Sequence, residues 1–325
     1  MHSEKFLLIL ASVLVYHALA LESLDNEWKL WKSNYAKTYS STNEEQFRRK
    51  TWEANWHIVQ EHNQLADQGK TTYWMKMNHF ADKSEKELAK MNCLQVPTSK
   101  ERNLKTYRDV KYREPPSNVD WREEKCVTVV KDQGSYCGSC WAFATVGTIE
   151  SRYCIKTGEL EELSEQQLVD CDYNNDGCCG GFPLYALEYA VENGLMKSSK
   201  YKYKGHGSEC RYKERLATSL NSSKFYDLAG EDNIASALAF DGPMSVAFGV
   251  AFTFMFYDKG IYDGLCAYGL NHAMLAVGYG VSDYEPYWIV KNSWGHYWGE
   301  DGYVKIRRNV NQCGIGEMAS AADLM

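Results

Sequence analysis

The residues with the most chemical promise are Cys140, His272 and Asn292. Cys140 lies in the run Gln133-Gly134-Ser135-Tyr136-Cys137-Gly138-Ser139-Cys140-Trp141-Ala142-Phe143. From Trp141 to Glu150 apolar residues recur at helical spacing, so Cys140 stands at or just before a helix N-terminus. Unpaired N–H groups and the positive end of the helix dipole favour negative charge there. Because the thiolate is the nucleophile, such a position makes a sluggish cysteine reactive. Two other uses compete: half of a buried disulfide, with Cys137 as the rival half, and a redox-active or metal-binding Cys-x-x-Cys. A thiolate nucleophile needs a base that also holds it as an ion pair, and histidine titrates in the right range. His272 opens the strand-like run Asn271–Gly280, although a lone strand-edge histidine is ordinarily a structural hydrogen-bonding group. Asn292 ends the run Tyr287–Lys291, and its neutral amide could orient the second imidazole nitrogen. The alternative for Asn292 is a plain turn residue, but Trp288, Trp294 and Trp298 crowd the same short span and favour a shielded site.

The elements around these residues are legible in outline. With 325 residues the chain can build one large or two ordinary domains with a sizeable core. A net charge of -7 without a basic run argues against a nucleic-acid partner. Eleven cysteines point to an oxidising route. Lys5, the apolar run Phe6–Val15 and Ala18-Leu19-Ala20 read as a signal peptide cut near Ala20, so residues 1–20 are expected to be removed. That run is too short for a membrane span and no longer one follows, so a soluble product of the secretory pathway is expected. The sequon Asn221-Ser222-Ser223 is then a candidate glycosylation site.

Residues 21 to about 92 are charged and helical in pattern, with Trp28, Leu30, Trp31 and Tyr35 on one apolar face. A longer helix is expected from Asn43 to Ala66, and within it Glu45, Arg49, Trp52, Asn55, Val59 and Asn63 form one stripe. From Cys93 to Pro116 the pattern fades into what reads as an exposed linker, with maturation expected between Arg108 and Pro116. Further on, Ser164 and Gln167 suggest a capping box, and helices are expected over Leu184–Glu192 and Asp232–Phe240. Strands are expected over Met244–Phe248, His272–Tyr279, Tyr287–Lys291 and Gly302–Arg307. A helical half and a β half suggest two lobes with a cleft between them, where sites usually lie. His2, His17, His57, His62 and His79 fall in segments expected to be removed, while His206 and His296 read as solvated.

The run Cys137-Gly138-Ser139-Cys140-Trp141 resembles the signature of the papain and cathepsin family of cysteine proteases, and His272 falls in the roughly 130–150-residue window downstream that this family uses. The stripe from Glu45 to Asn63 resembles the ERFNIN motif of cathepsin L-like propeptides, with Trp52 and Val59 as substitutions. Asn78, Phe80 and Asp82 resemble the tail of the Gly-x-Asn-x-Phe-x-Asp motif, with Lys76 where glycine is usual. The resemblance implies an α+β, papain-like two-lobe fold behind a helical propeptide. The implied division is an inhibitory propeptide over 21–113 and a peptidase over 114–325, with a helical lobe over about 120–225 and a β lobe over about 226–325. It implies a Cys140–His272–Asn292 endopeptidase with no cofactor and no metal. Partners would be protein and peptide substrates, its own propeptide and cystatin-like inhibitors, in a lysosomal or extracellular setting. The Gln133 side chain and the Cys140 N–H would hold the oxyanion. Gln133 lies one residue further from Cys140 than the family pattern has it, which leaves a catalytically impaired binding or inhibitory homologue as the alternative. Gly180 and Gly181 would pair with the substrate backbone. Phe182, Pro183, Ala247, Leu270, Ala273 and Met318 would line an apolar pocket for the second substrate residue, although each alone could be simple core. Trp294 would cover the Asn292 bond. Family bridges would be Cys137–Cys178, Cys171–Cys210 and Cys266–Cys313, with Cys126, Cys154 and Cys179 left open to a Cys126–Cys154 bridge or to free thiols.

Overall fold

The computed structural model describes residues 24–97, 114–220 and 224–324. The expected signal peptide, the Asn221 sequon and residues 108–113 of the expected maturation segment lie outside the described residues. The first module is helical: α1 over residues 24–34, α2 over Thr42–Asp67 and α3 over Glu85–Leu88. Ser41 caps α2 by accepting a hydrogen bond from the Glu44 N–H at 3.2 Å. Trp52, Asn55, Val59 and Ala66 form its buried stripe, and the Trp52 ring meets Trp28 edge-on at 5.5 Å. Leu30, expected on this face, is 62% exposed; Trp28 and Trp31 already fill the seam. Within the stripe, Glu45 meets Lys32, and Arg49 meets Asp25 and Glu53.

The polar members of that stripe clamp the strand-like segment that follows. The Asn55 amide donates to Ala81 O at 2.9 Å and to Lys83 O at 3.1 Å. Asn63 exchanges two 2.8 Å bonds with the Met75 backbone. So held, β1 (Tyr73–Met75) adds antiparallel to strand Tyr257–Tyr262 of the second module. Lys76, the departure from the propeptide motif, bonds Gly299 O and pairs with Asp258 across that junction.

The second module has two lobes. In the first, α4 (Cys140–Thr157), α5 (Glu165–Cys171) and α6 (Pro183–Asn193) pack around Trp141, Val146, Leu168 and Leu187. Ser164 caps α5 by accepting from the Gln167 N–H at 3.0 Å. The expected capping box is only half made, because Gln167 turns its carbonyl oxygen to the Met196 N–H at 2.7 Å. The other lobe is built on a sheet. Its strands, after the short β2 (Val119–Asp120), β3 (Leu195–Met196) and β4 (Ala217–Thr218), are β5 (Lys224–Leu228), β6 (Met244–Phe248), β7 (Tyr257–Tyr262), β8 (His272–Ser282), β9 (Glu285–Lys291), β10 (Tyr303–Arg307) and β11 (Ala319–Asp323). They run in the order β1-β7-β10-β9-β8-β6-β11-β5, with β2 on β8. Helix α7 (Glu231–Asp241) packs on this sheet.

Four disulfides staple the second module: Cys126–Cys154, Cys137–Cys178, Cys171–Cys210 and Cys266–Cys313. Between the lobes, α4 lies against β8 and β6. Buried Glu150 on α4 accepts from Lys131 at 2.8 Å and from Thr128 at 2.6 Å, and Lys131 also meets Glu165 at 2.6 Å. Lys291 crosses from the sheet to the Thr128 carbonyl at 2.7 Å. Lys131, Glu150 and Glu165 meet the requirement that buried charges be paired and hydrogen-bonded, whereas Lys291 is held by the Thr128 carbonyl and hydroxyl alone.

Candidate active site

Cys140 is the first residue of α4, and Ser139 precedes it as the N-cap residue. His272 is the first residue of β8; its neighbour Ala273 packs beside Cys140. The β6–β8 register, Phe248 opposite His272 and Ala247 opposite Ala273, fixes that start point. Asn292 follows directly on β9. Its Oδ1 accepts from the Ser293 N–H at 2.8 Å, which settles the orientation of the amide. The same oxygen lies 2.9 Å from His272 Nε2, so the ring nitrogen carries the proton there. That leaves Nδ1 as the basic atom, and it is buried without a hydrogen-bond partner. The Trp294 ring lies 4.7 Å from the imidazole and excludes water from the bond.

Gln133 is fully buried despite the longer loop. Its N–H donates to Ser293 O at 2.9 Å, and its side-chain oxygen accepts from Ser293 Oγ at 2.6 Å. Tyr203 donates to Gln133 O at 2.8 Å and shares a 2.7 Å bond with Ser139 Oγ. The extra residue is taken up outside this frame: Gly134 adopts φ 74°, where glycine costs least, and Tyr136 projects into solvent, 88% exposed. Ser293 and Tyr203 escaped the sequence reading. Ser293 carries a signal in its place beside Asn292, whereas Tyr203 carries none.

The cleft is occupied by the chain itself. The two amide hydrogens of Gln133 go to Met91 O at 3.1 Å and Cys137 O at 3.0 Å. Leu94 bridges Gly181 in parallel, donating its N–H to Asn271 O at 3.0 Å. Gly181 N–H donates to Cys93 O at 3.2 Å, and Gln95 N–H returns a 2.9 Å bond to Gly181 O. A Cβ on Gly180 would collide with the Cys93 carbonyl, and its φ of 131° suits glycine alone. The Leu94 side chain is buried among Phe182, Leu184, Ala247, Ala273 and Met318, with Leu270 partly covering it. Pro183 sits at the first turn of α6 beside them. Glu317 is exposed and Met318 is buried, so it is Met318 that faces the pocket. The expectation of an exposed linker from Cys93 therefore fails at its first residues, because Leu94 has a cleft to fill.

Covering the cleft changes its electrostatics. Burial pushes the Cys140 thiol up to about 11, against the pull of backbone groups of Ala273, Cys93 and Trp141. Burial pushes His272 down to about 4, against the support of Asn292. Both groups are therefore neutral near neutral pH, and the reactive ion pair is suppressed. Among the described residues no group of three or more His, Cys, Asp and Glu side chains could hold a metal ion.

Residues 115–323 match the family model of papain family cysteine proteases. The chain belongs to the papain family of cysteine proteases. Residues 28–88 match the cathepsin propeptide inhibitor domain, so the α1–α3 module is the inhibitor of this papain-family enzyme. Cathepsin S of Bos taurus is 41% identical over 98% of this chain and 98% of its own. Cathepsin S of Mus musculus is also 41% identical, over 93% of this chain and 91% of its own. Among solved structures, digestive procathepsin L 3 of the Tenebrio molitor larval midgut superposes with a TM-score of 0.85 at 37% identity, covering 93% of this chain and 99% of that one. The two-lobe papain-like fold behind a propeptide is shared with it. Among the described residues no helix is long and apolar enough to cross a membrane.

Proposed function

We propose that this cathepsin-type zymogen matures to an endopeptidase in which Cys140 attacks the peptide carbonyl and His272 serves first as acid and then as base. The observation that carries the reading is the His272 Nε2–Asn292 Oδ1 bond of 2.9 Å, which leaves Nδ1 free as the proton acceptor on the residue next to Ala273, itself packed with Cys140 at the start of α4. Once the propeptide leaves, water reaches Cys140 again, the desolvation that opposed the helix dipole is relieved, and the thiolate–imidazolium pair can form. Nδ1 then gives its proton to the leaving amine, and water, activated by the same nitrogen, hydrolyses the acyl-enzyme. The Gln133 amide that now holds Met91 O would hold the oxyanion together with the Cys140 N–H. The pocket filled by Leu94 supports a preference for an apolar residue at the second substrate position. Residues 21–113 are the removed segment in this reading, and the signal-peptide pattern together with four disulfides supports passage through the secretory pathway to a lysosome or the extracellular space. The exposed Tyr136 excursion, with Gln133 still buried, supports an active enzyme over an impaired homologue.

The test is turnover of a fluorogenic peptide with leucine at the second position by acid-matured protein, beside Cys140→Ala, with active sites titrated by a thiol-directed epoxide. Turnover lost in the variant is the expected result. Stoichiometric labelling without turnover would refute the assignment of Gln133 and of endopeptidase activity together.

A further inference from the structure

Eight of the eleven cysteines are paired, and the three left free are Cys93, Cys140 and Cys179. These three converge on one stretch of the cleft. Cys93 belongs to the inhibitory segment, and its carbonyl accepts from the Gly181 N–H at 3.2 Å. Gln95 Nε2 donates to the Cys179 carbonyl at 3.3 Å. On its other side, a Cβ placed on Gly138 would lie 2.5 Å from the Cys93 Cβ and Sγ and 3.1 Å from the Cys178 carbonyl. The Cys93 side chain therefore lies against Gly138, whose N–H donates to the Cys178 carbonyl at 2.9 Å, and its thiol also reaches the Lys90 carbonyl at 3.1 Å. The parallel Leu94–Gly181 bridge puts Cys93 opposite Gly180. Cys179 is the residue before Gly180, at the end of the tight turn Gly177–Cys179, so the two cysteines flank the same backbone junction; a disulfide between them needs Cα atoms roughly 4.4–6.8 Å apart. The two thiols also sense each other electrostatically.

Accessibility decides which of the free thiols can react. Cys140 is wholly buried beneath the inhibitory segment, Cys93 is half-buried, and Cys179 is exposed. A small disulfide in solution meets Cys179 first.

We propose that Cys93 and Cys179 form a thiol–disulfide modification site whose oxidised form fastens the inhibitory segment to the rim of the cleft. The proposal rests on the reading of residues 91–96 as the inhibitory segment. The oxidant is a low-molecular-weight disulfide of the glutathione type. The Cys179 thiolate attacks one of its sulfurs, forming a mixed disulfide and expelling one small thiol. The Cys93 thiolate then attacks the Cys179 sulfur and expels the second. Two electrons pass from the protein thiols to the small disulfide, and the two protons leave on the two small thiols. Cys140 remains a thiol, so reduction of the link restores a competent zymogen. Because the backbone bond between Gly181 and Cys93 holds the two segments together, closure of the second step is intramolecular and outcompetes accumulation of the mixed adduct.

The test uses the full-length zymogen treated with glutathione disulfide at about pH 8, where thiolates are available. Peptide mapping without reduction is expected to recover a Cys93–Cys179 link, absent in Cys93→Ser and in Cys179→Ser. After transfer to acid, release of the propeptide from oxidised zymogen is expected to be slowed by roughly tenfold or more. A phosphine reductant restores the rate, and Cys93→Ser is insensitive to oxidation throughout. Recovery of only a glutathione adduct on Cys179, or of a Cys93–Cys140 link, overturns the proposal, as does a linked zymogen that releases its propeptide at the reduced rate. Should residues 91–96 not inhibit at all, reduced unprocessed zymogen would hydrolyse peptide as fast as the mature enzyme; the mapping reads the thiol link independently of that result.

Discussion

Leu94 is the buried apolar anchor of the segment that occupies the cleft, and shortening that side chain should open the zymogen by a calculable amount. Leu94 is 8% exposed and sits among Phe182, Leu184, Ala247, Ala273 and Met318. Leu94→Ala withdraws three buried carbons, worth about 2 kcal/mol at roughly 0.8 kcal/mol each. The larger penalties found in closed cores do not apply, since water can refill an open cleft. The backbone bonds of the segment, Leu94 N–H to Asn271 O and Gln95 N–H to Gly181 O, are untouched by the change. A shift of about 2 kcal/mol corresponds to about a thirtyfold rise in the fraction of zymogen whose segment is lifted away. The assay is the rate at which a thiol-directed epoxide labels Cys140 in intact zymogen at neutral pH. When lifting and reseating are fast, labelling follows the open fraction, so the rate should rise about thirtyfold. Leu94→Met, similar in volume, should change it less than threefold. A Leu94→Ala rate within twofold of the parent would refute the reasoning, because the cleft would then be closed by the α1–α3 module and not by the segment in it.

Acid should loosen the propeptide through His79, which burial holds down at about 3, aided by Lys37, Lys83 and Lys76. A histidine depressed in the docked state takes up its proton only on release, so docking is at full strength above about pH 6.5 and weakens as pH falls toward 3, by about 1.4 kcal/mol per unit. His79→Phe should accordingly move the midpoint of propeptide release to lower pH in a processing time course. Asn292→Ala should cut kcat/KM roughly a hundredfold with little change in epoxide titre, because the imidazole loses its orientation while the thiol stays; steady-state kinetics on titrated enzyme checks this. Replacing Cys126 and Cys154 together by serine should lower unfolding stability by about 3 kcal/mol in a denaturant titration, from the loop that the bridge closes.

Periodicity and punctuation made much of this architecture readable. Helix α2 was visible because its stripe obeys the helical repeat over six marked positions, and it spans Thr42–Asp67 against the expected Asn43–Ala66. Strand β6 was visible to the residue because Gly242-Pro243 and Gly249 bracket it. What stayed hidden depends on where side chains go once the chain has folded. Gln167 looks like a capping partner, but a buried backbone N–H at Met196 has the stronger claim on its oxygen. Glu45 and Arg49 stand one helical turn apart, yet Glu45 turns to Lys32 on α1, and Arg49 is shared between Asp25 on α1 and Glu53 on its own helix. Leu94 lies in a polar stretch with no periodic neighbours, and only the cleft gives it a reason to be leucine. For the candidate site, the residue types and their order were legible, whereas the frame of Ser293 and Tyr203 around Gln133 arises from contacts distant in sequence.

The pairing of β1 with β7 has a consequence for what remains after maturation. In the zymogen Ile261 N–H donates to Thr72 O at 2.9 Å, and Phe256 O accepts from the Lys76 N–H at 2.8 Å. Cutting the propeptide away strips those partners and leaves Tyr257–Tyr262 as a bare margin of the sheet, able to zip onto any extended chain. Asp258 and Lys259 put charge along that margin, and such charges are how sheet proteins fend off self-association. The propeptide is thus a bandage as well as an inhibitor, and the moment of its removal is when the enzyme is most exposed to clumping with its own kind.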